Sequence, residues 1–205
     1  MKIFAVGMNY EAHCHELHAS EPLPTEPVIF MKPDSAILKD SKPFFLPDFS
    51  QCVEYETELV VRFGRLGKSI SERFASRYVD AVTVGIDFTA RDLQQRLRKE
   101  GKPWEISKGF DGSAVIGDWV PIEQIEDVQQ LDFHLDIDGQ TAQQGNTSNM
   151  IFSVNKLIAY ISRFYTLKIG DILYTGTPFG VGPVQIGQHL EGYLKDTKLL
   201  DFYVR

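Results

Sequence analysis

The alternation of apolar and polar positions divides this chain into short strands with a few helices between them. In "CVEYETELVV", residues 52–61, Val53, Tyr55, Leu59 and Val61 occupy alternate positions. Glu54, Glu56 and Glu58 fall between them, the period of a strand carrying three carboxylates on one face. "LDFHLDIDGQTAQQG" alternates Leu131, Phe133, Leu135 and Ile137 up to Asp138-Gly139, which predicts a hairpin. "SVNKLIAYISRF" spaces Val154, Leu157, Ile158, Ile161 and Phe164 as one face of a helix, with Ser153 as its N-cap. Residues 90–100 read as a second helix, opened by a Thr89/Asp92 capping box and stopped by Gly101. A third helix is expected from Ser71, carrying Phe74, Tyr78 and Val79. Residues 22–47 hold six of the ten prolines but also the apolar "VIFM" and "FFL", so they read as short extended strands and turns packed on the body rather than a linker.

Composition narrows the function classes. A chain of 205 residues that is 43% hydrophobic and 12% aromatic can bury a core and is expected to form one domain, 1–205. A net charge of -7 with 21 scattered Lys and Arg argues against a nucleic-acid partner. Two cysteines, Cys14 and Cys52, outside any CxxC pair fit a reduced compartment. The apolar run "IFAVGM" is too short for a signal-peptide core, and no segment approaches the roughly 18 apolar residues of a membrane span. A soluble, cytoplasmic protein without a membrane partner is the expectation.

The chemistry begins at "AVTVGIDF", an apolar strand that ends in Asp87. A carboxylate there is costly unless hydrogen-bonded, paired or bound to a cation. Two glutamates at i and i+2 can lean onto one cation, and a third carboxylate from another strand would complete an all-oxygen site suited to Mg²⁺ or Mn²⁺. On pattern alone, alternating glutamates are usually just a strand's wet face, and Asp87 alone could be a second helix cap. "TGTPFGVG" lacks the G-K-[ST] ending of a phosphate loop, so its glycines read as turn residues.

"EYETEL", "GIDFTARDLQ", "SKGFD" and "GDILYTGTPFGVGPV", in this order and preceded by "VGMNYEAHCHEL", resemble the fumarylacetoacetate hydrolase family. The resemblance is closest to its small members, the acylpyruvate hydrolases and oxaloacetate decarboxylases or tautomerases, and it covers almost the whole chain. It implies an α+β, mainly β fold, a mixed, strongly coiled β-sandwich roll with short helices, and a homodimer. It also implies that Glu56, Glu58 and Asp87 hold Mg²⁺ or Mn²⁺, with Glu54 outside the set.

If residues 11–19 are helical, His13 and Glu16 are neighbours on one face, and a carboxylate beside an imidazole raises its basicity. The alternative is an exposed helix with ordinary histidines. The resemblance makes the pair a dyad on a lid segment, residues 1–20, that activates water. A soft-metal cluster of His13, Cys14, His15 and His18 lacks a second ligand pair to close a tetrahedral site. The resemblance further implies that Lys108 neutralises substrate or enolate charge, that Gln94 orients substrate or water, and that Gly176 and Thr177 bind the substrate carboxylate. Met8 stands where relatives often carry Arg, which puts one cationic contact in doubt. The implied activity is cleavage of acylpyruvates, small 2-keto acids, to pyruvate and a carboxylic acid. Oxaloacetate decarboxylation or tautomerisation, isomerisation of 2-hydroxyhepta-2,4-diene-1,7-dioate, and a non-catalytic keto-acid-binding module are the alternatives.

Overall fold

The computed structural model describes residues 1–18 and 22–205, with residues 17 and 18 described by their backbone alone. The His18 side chain and residues 19 and 20 of the expected lid lie outside the described residues. The strands in chain order begin with β1 (Ile3–Gly7), β2 (Val28–Lys32), β3 (Ile37–Leu38), β4 (Val53–Tyr55), β5 (Thr57–Phe63), β6 (Val79–Asp87) and β7 (Thr89–Ala90). They continue with β8 (Ala114–Ile116), β9 (Val120–Pro121), β10 (Asp132–Ile137), β11 (Gln140–Asn146), β12 (Ile172–Tyr174), β13 (Gly182–Pro183), β14 (His189–Leu194) and β15 (Thr197–Tyr203). The helices are α1 (Glu11–His18), α2 (Arg91–Lys99), α3 (Glu105–Lys108) and α4 (Val154–Phe164). This is a mixed α+β fold made mostly of strands.

The main sheet runs β2-β1-β12-β5-β6-β8-β3, with β9 on β6. A second sheet runs β11-β10-β14-β15, and β13-β4-β7 form a third. Three apolar clusters hold them together. Leu157, Ile158 and Ile161 of α4 pack with Phe4, Leu59, Val61 and Phe63 of the main sheet. Further along the sheet, Ile86, Phe88 and Val115 meet Leu135, Leu190 and Phe202 of the second sheet, and on the opposite face of the main sheet Ile3, Ala5, Val60, Ile172 and Tyr174 pack together. Side chains facing inward on alternate positions of both sheets make this possible. No helix among the described residues is long and apolar enough to cross a membrane.

Locally encoded elements form where the pattern places them. Asp138 and Gly139 have φ of 52° and 76°, the left-handed pair that a two-residue hairpin needs, and they join β10 to β11. Ser153 caps α4 by accepting from the Lys156 N–H at 3.2 Å.

Long-range contacts override the pattern elsewhere. The Thr89/Asp92 capping box does not form, and α2 begins after Ala90 with no side-chain cap. The Thr89 hydroxyl instead accepts from Lys108 Nζ at 2.6 Å, while Asp92 accepts from Ser50 and from the Gln51 N–H. The helix expected from Ser71 is a 3₁₀ stretch, Glu72–Tyr78, because Val79 is already paired with Phe63 as the start of β6. Phe164, at the C-terminal end of α4, is 57% exposed rather than on the buried face. The glutamate-bearing segment is two strands: β4 ends at Tyr55 and pairs with β7 and β13, whereas β5 enters the main sheet at Thr57. Glu54, Glu56 and Glu58 therefore do not share one continuous face.

Candidate active site

The break between β4 and β5 positions the carboxylates. The Asp87 N–H donates to the Glu56 carbonyl at 2.8 Å, and Thr57 pairs with Ile86, so the end of β6 lies beside the start of β5. Glu56, Glu58 and Asp87 are all buried, and one carboxylate oxygen from each lies within 4.8 Å of the others. Glu58 is held from the other side by the Gly176 N–H, 2.6 Å from its Oε2. Gly176 has φ of 101°, and a Cβ there would come within 2.7 Å of the Asn9 side chain, so only glycine lets the backbone approach this closely.

Three cations balance the cluster. Lys108 Nζ donates to Glu56 Oε2 at 2.8 Å and to Asp87 Oδ2 at 2.9 Å. Arg91 bonds Glu56 Oε1 at 2.5 Å and Glu54 Oε2 at 2.6 Å, and also reaches Gln94 Oε1. Lys32 Nζ stands 2.6 Å from Asp87 Oδ1 while donating to the carbonyls of Lys108 and Ser113.

The charge states follow from competition between burial and these partners. Burial alone would raise Glu56, but Lys108 and Arg91 outweigh it and hold the carboxyl well below the usual range. Burial, then Asp87 and Glu56, push Glu58 well above it, against the Gly176 N–H. Burial pulls Lys108 down, yet Asp87 and Glu56 leave it above its ordinary value. For Lys32 burial wins over the Asp87 pair, and its pKa is lowered.

The donor set fits a hard divalent cation. It is buried and offers only oxygens. Asp87 Oδ1 accepts no hydrogen bond among the described residues, since Lys32 faces it as a coulombic partner outside hydrogen-bonding geometry. A cation and the Lys108 ammonium would share the same carboxylates.

His13 and Glu16 meet across one turn of α1, Nδ1 3.0 Å from Oε2, and both line the protein's interior side of that helix. The Gly180 N–H donates to Glu16 Oε1 at 3.2 Å, which ties the pair to the loop after β12. His13 shares a narrow cleft of about 30 Å³ with Glu56, Arg91, Gln94, Lys108 and Thr177. Cys14 donates inward to the Met8 carbonyl and His15 is exposed beside Glu11, so His13, Cys14 and His15 do not converge as a soft-metal site.

The TGT loop is arranged differently from the expectation. The Gly176 N–H is taken by Glu58, and the Thr177 hydroxyl donates to the Thr57 carbonyl at 3.0 Å and accepts from Gln143 Nε2 at 2.8 Å. Thr177 lines the same cleft as His13 and Glu56. Lys32, Arg91 and Gln143 escape a reading of the sequence. Lys32 ends the apolar "VIFMK" just as Asp87 ends its strand, and that shared signal could have found it.

A larger groove of about 970 Å³, lined by Tyr10, Glu11, His15, Gln144 and Phe179 among others, contains none of the three carboxylates. A second acidic cluster, His189, Glu191 and Asp201, lies on the outer face of the second sheet. There Lys198 already bonds Glu191 and Asp201 at 2.8 and 2.7 Å, an exposed ion-pair network.

The chain belongs to the fumarylacetoacetate hydrolase family: residues 2–204 match the family described as fumarylacetoacetate (FAA) hydrolase C-terminal. It is 41% identical over 188 residues to the mitochondrial oxaloacetate decarboxylase of Dictyostelium discoideum, covering 91% of this chain and 85% of that protein. It is 37% identical over 202 residues to the mitochondrial oxaloacetate tautomerase of Bos taurus, covering 98% and 90%. Among solved structures it is similar to fumarylpyruvate hydrolase from Pseudomonas aeruginosa in complex with Mn²⁺ and pyruvate. That similarity has 36% identity and a TM-score of 0.92, and covers 100% of this chain and 89% of that one.

Proposed function

We propose that this chain is a divalent-cation-dependent enzyme that hydrolyses the C–C bond of acylpyruvates, giving pyruvate and a carboxylic acid, and that Glu56, Glu58 and Asp87 hold the cation, Mg²⁺ or Mn²⁺. The observation that carries the reading is one cleft lined by both Glu56 of the carboxylate cluster and His13, whose Nδ1 is already paired with Glu16. The Mn²⁺ and pyruvate bound in the Pseudomonas aeruginosa hydrolase support it. When bound, the cation would polarise the carboxylate and 2-oxo end of the substrate and neutralise charge that develops there.

The chain's own groups do the rest. Glu16 holds His13 by its Nδ1 side, so Nε2 takes the proton from water. That water adds to the distal carbonyl, and collapse of the adduct breaks the bond to the neighbouring methylene. The electron pair passes to the pyruvate fragment, where the Lys108 ammonium, buried beside the carboxylates, stabilises the enolate charge. Protonation at carbon completes pyruvate. The Thr177 N–H faces the substrate carboxylate, and Gln94, fixed by Arg91, orients the substrate. The active form is read as a homodimer, which light scattering on the purified protein tests.

A second reading is favoured by the oxaloacetate decarboxylase and tautomerase relatives. Decarboxylation and tautomerisation use the cation cluster and Lys108 but no hydrolytic water. The experiment follows pyruvate release from acetylpyruvate and from oxaloacetate, with Mg²⁺, for native protein and His13→Ala. Hydrolysis as the native function predicts loss of about 100-fold or more on acetylpyruvate with oxaloacetate turnover retained. Unchanged acetylpyruvate cleavage removes His13 from the role of base, and native turnover of oxaloacetate alone favours the second reading.

A further inference from the structure

β12 pairs with β5 from Arg62 to Val60 and then leaves the main sheet as the TGT loop, turning at Gly176. Past that point side chains take over the ladder along β5. The Thr175 hydroxyl donates to the Leu59 carbonyl at 2.7 Å, the Thr177 hydroxyl donates to the Thr57 carbonyl, and the Thr57 N–H donates to Gln143 Oε1 at 2.9 Å. Thr57 is fully buried, so its N–H would be costly to leave unpaired. Gln143 supplies the acceptor from β11 of the second sheet, 86 positions along the chain.

The Thr57 N–H belongs to the peptide unit that joins Glu56 to Thr57. The carbonyl of the same unit accepts from the Asp87 N–H at 2.8 Å. One rigid plane is therefore gripped at both edges, by the backbone of Asp87 and by the Gln143 amide, and that plane sets how Glu56 leaves the chain relative to Glu58 two positions on. Gln143 is itself fixed, since its Nε2 donates to Thr177 Oγ1 at 2.8 Å and to the Pro178 carbonyl at 2.9 Å. It is 2% exposed and lies outside the cleft that Glu56 and Thr177 line, so it acts through its neighbours and not on a ligand. Groups that orient a metal's ligands in this way govern affinity although they never touch the ion.

We infer that Gln143 is a positioning residue of the cation site: by accepting from the Thr57 N–H it holds Glu56 and Glu58 in the arrangement that one divalent cation needs. The inference rests on the proposal that Glu56, Glu58 and Asp87 hold that cation.

The test is calorimetric titration with Mg²⁺ alone, alongside urea unfolding of the metal-free protein. Gln143→Met, which removes the acceptor at similar volume, weakens Mg²⁺ binding by about 10- to 100-fold with all three carboxylates intact. Gln143→Glu keeps an acceptor opposite the Thr57 N–H and stays within about threefold of native. Gln144→Met, at the exposed neighbouring position of β11, binds as native does. A role in packing alone lowers the unfolding midpoint of both Gln143 variants and leaves the affinity of the folded protein unmoved. Native-like affinity in folded Gln143→Met overturns the inference, and so does a Gln143→Glu that falls as far as Gln143→Met, because the loss then follows any change at this position. Failure of the underlying reading looks different: native protein takes up no Mg²⁺, or Asp87→Asn takes it up as tightly. Circular dichroism identifies the folded variants. An unfolded Gln143→Met leaves Gln143→Asn, whose amide stops one methylene short of Thr57, to decide: weakened Mg²⁺ binding upholds the inference and native-like binding overturns it.

Discussion

Lys32 and Asp87 form an ion pair that solvent does not reach, with Nζ 2.6 Å from Oδ1 and side-chain exposures of 0% and 1%. Removing one member of such a pair leaves a desolvated charge behind. Lys32→Met is expected to cost about 3 kcal/mol in urea unfolding without added metal. Millimolar Mg²⁺ should restore part of that loss, because a cation bound only to the folded state stabilises it by mass action. An unchanged midpoint in Lys32→Met would show that the pair is already offset by Lys108 alone.

Lys108 bridges Glu56 and Asp87, so its ammonium and a bound cation would act on the same carboxylates. Lys108→Met should therefore separate two properties. Mg²⁺ affinity is expected to hold or rise by up to about tenfold, since a like charge is removed. Turnover is expected to fall by about 100-fold or more, since the enolate loses its ammonium. Calorimetry and steady-state kinetics on one preparation read both, and a parallel fall in affinity and turnover would make Lys108 a support of the cation site only.

Glu16 touches both His13 and the Gly180 N–H. Glu16→Gln keeps a hydrogen-bonding group of the same length but removes the charge that supports a protonated imidazole. Its kcat for acetylpyruvate is expected to fall by about 10- to 100-fold, with KM nearly unchanged. A rise in KM at constant kcat would place Glu16 in ligand binding or lid closure instead.

The β10–β11 hairpin supplies a control remote from the chemistry. Gly139 has φ of 76° and nothing within 4 Å of where a Cβ would sit, so Gly139→Ala meets backbone strain and no clash. The expected cost is about 1–2 kcal/mol in thermal or urea unfolding, with kcat/KM unaltered. A neutral effect would mean that the turn relaxes to another type.

What was legible in the sequence divides along local and long-range lines. The hairpin at Asp138-Gly139 and α4 with its Ser153 cap are encoded by residues within a few positions of one another, and both form as read. Asp87 stood out because a carboxylate at the end of an apolar strand demands a partner. Lys32 gives the same signal at the end of "VIFMK", but a lysine at a strand end is ordinarily solvated, so the signal is weak. Arg91 was hidden because its partners Glu54 and Glu56 are brought to it by the β4–β7 pairing, which no local pattern announces. Thr89 looked like a cap by spacing, but the buried Lys108 ammonium, 19 positions away, captures its hydroxyl. Likewise the Thr177 hydroxyl is taken by Gln143 from a different sheet, a contact 34 positions apart that no local pattern announces.

The central claim is that Glu56, Glu58 and Asp87 enclose one divalent cation. Anomalous scattering from crystals soaked in Mn²⁺ tests it most directly. The account predicts one strong peak bounded by oxygens of those three residues, absent from Asp87→Asn crystals treated in the same way. A peak confined to His189, Glu191 and Asp201 on the outer sheet face, or none near Asp87, would contradict it.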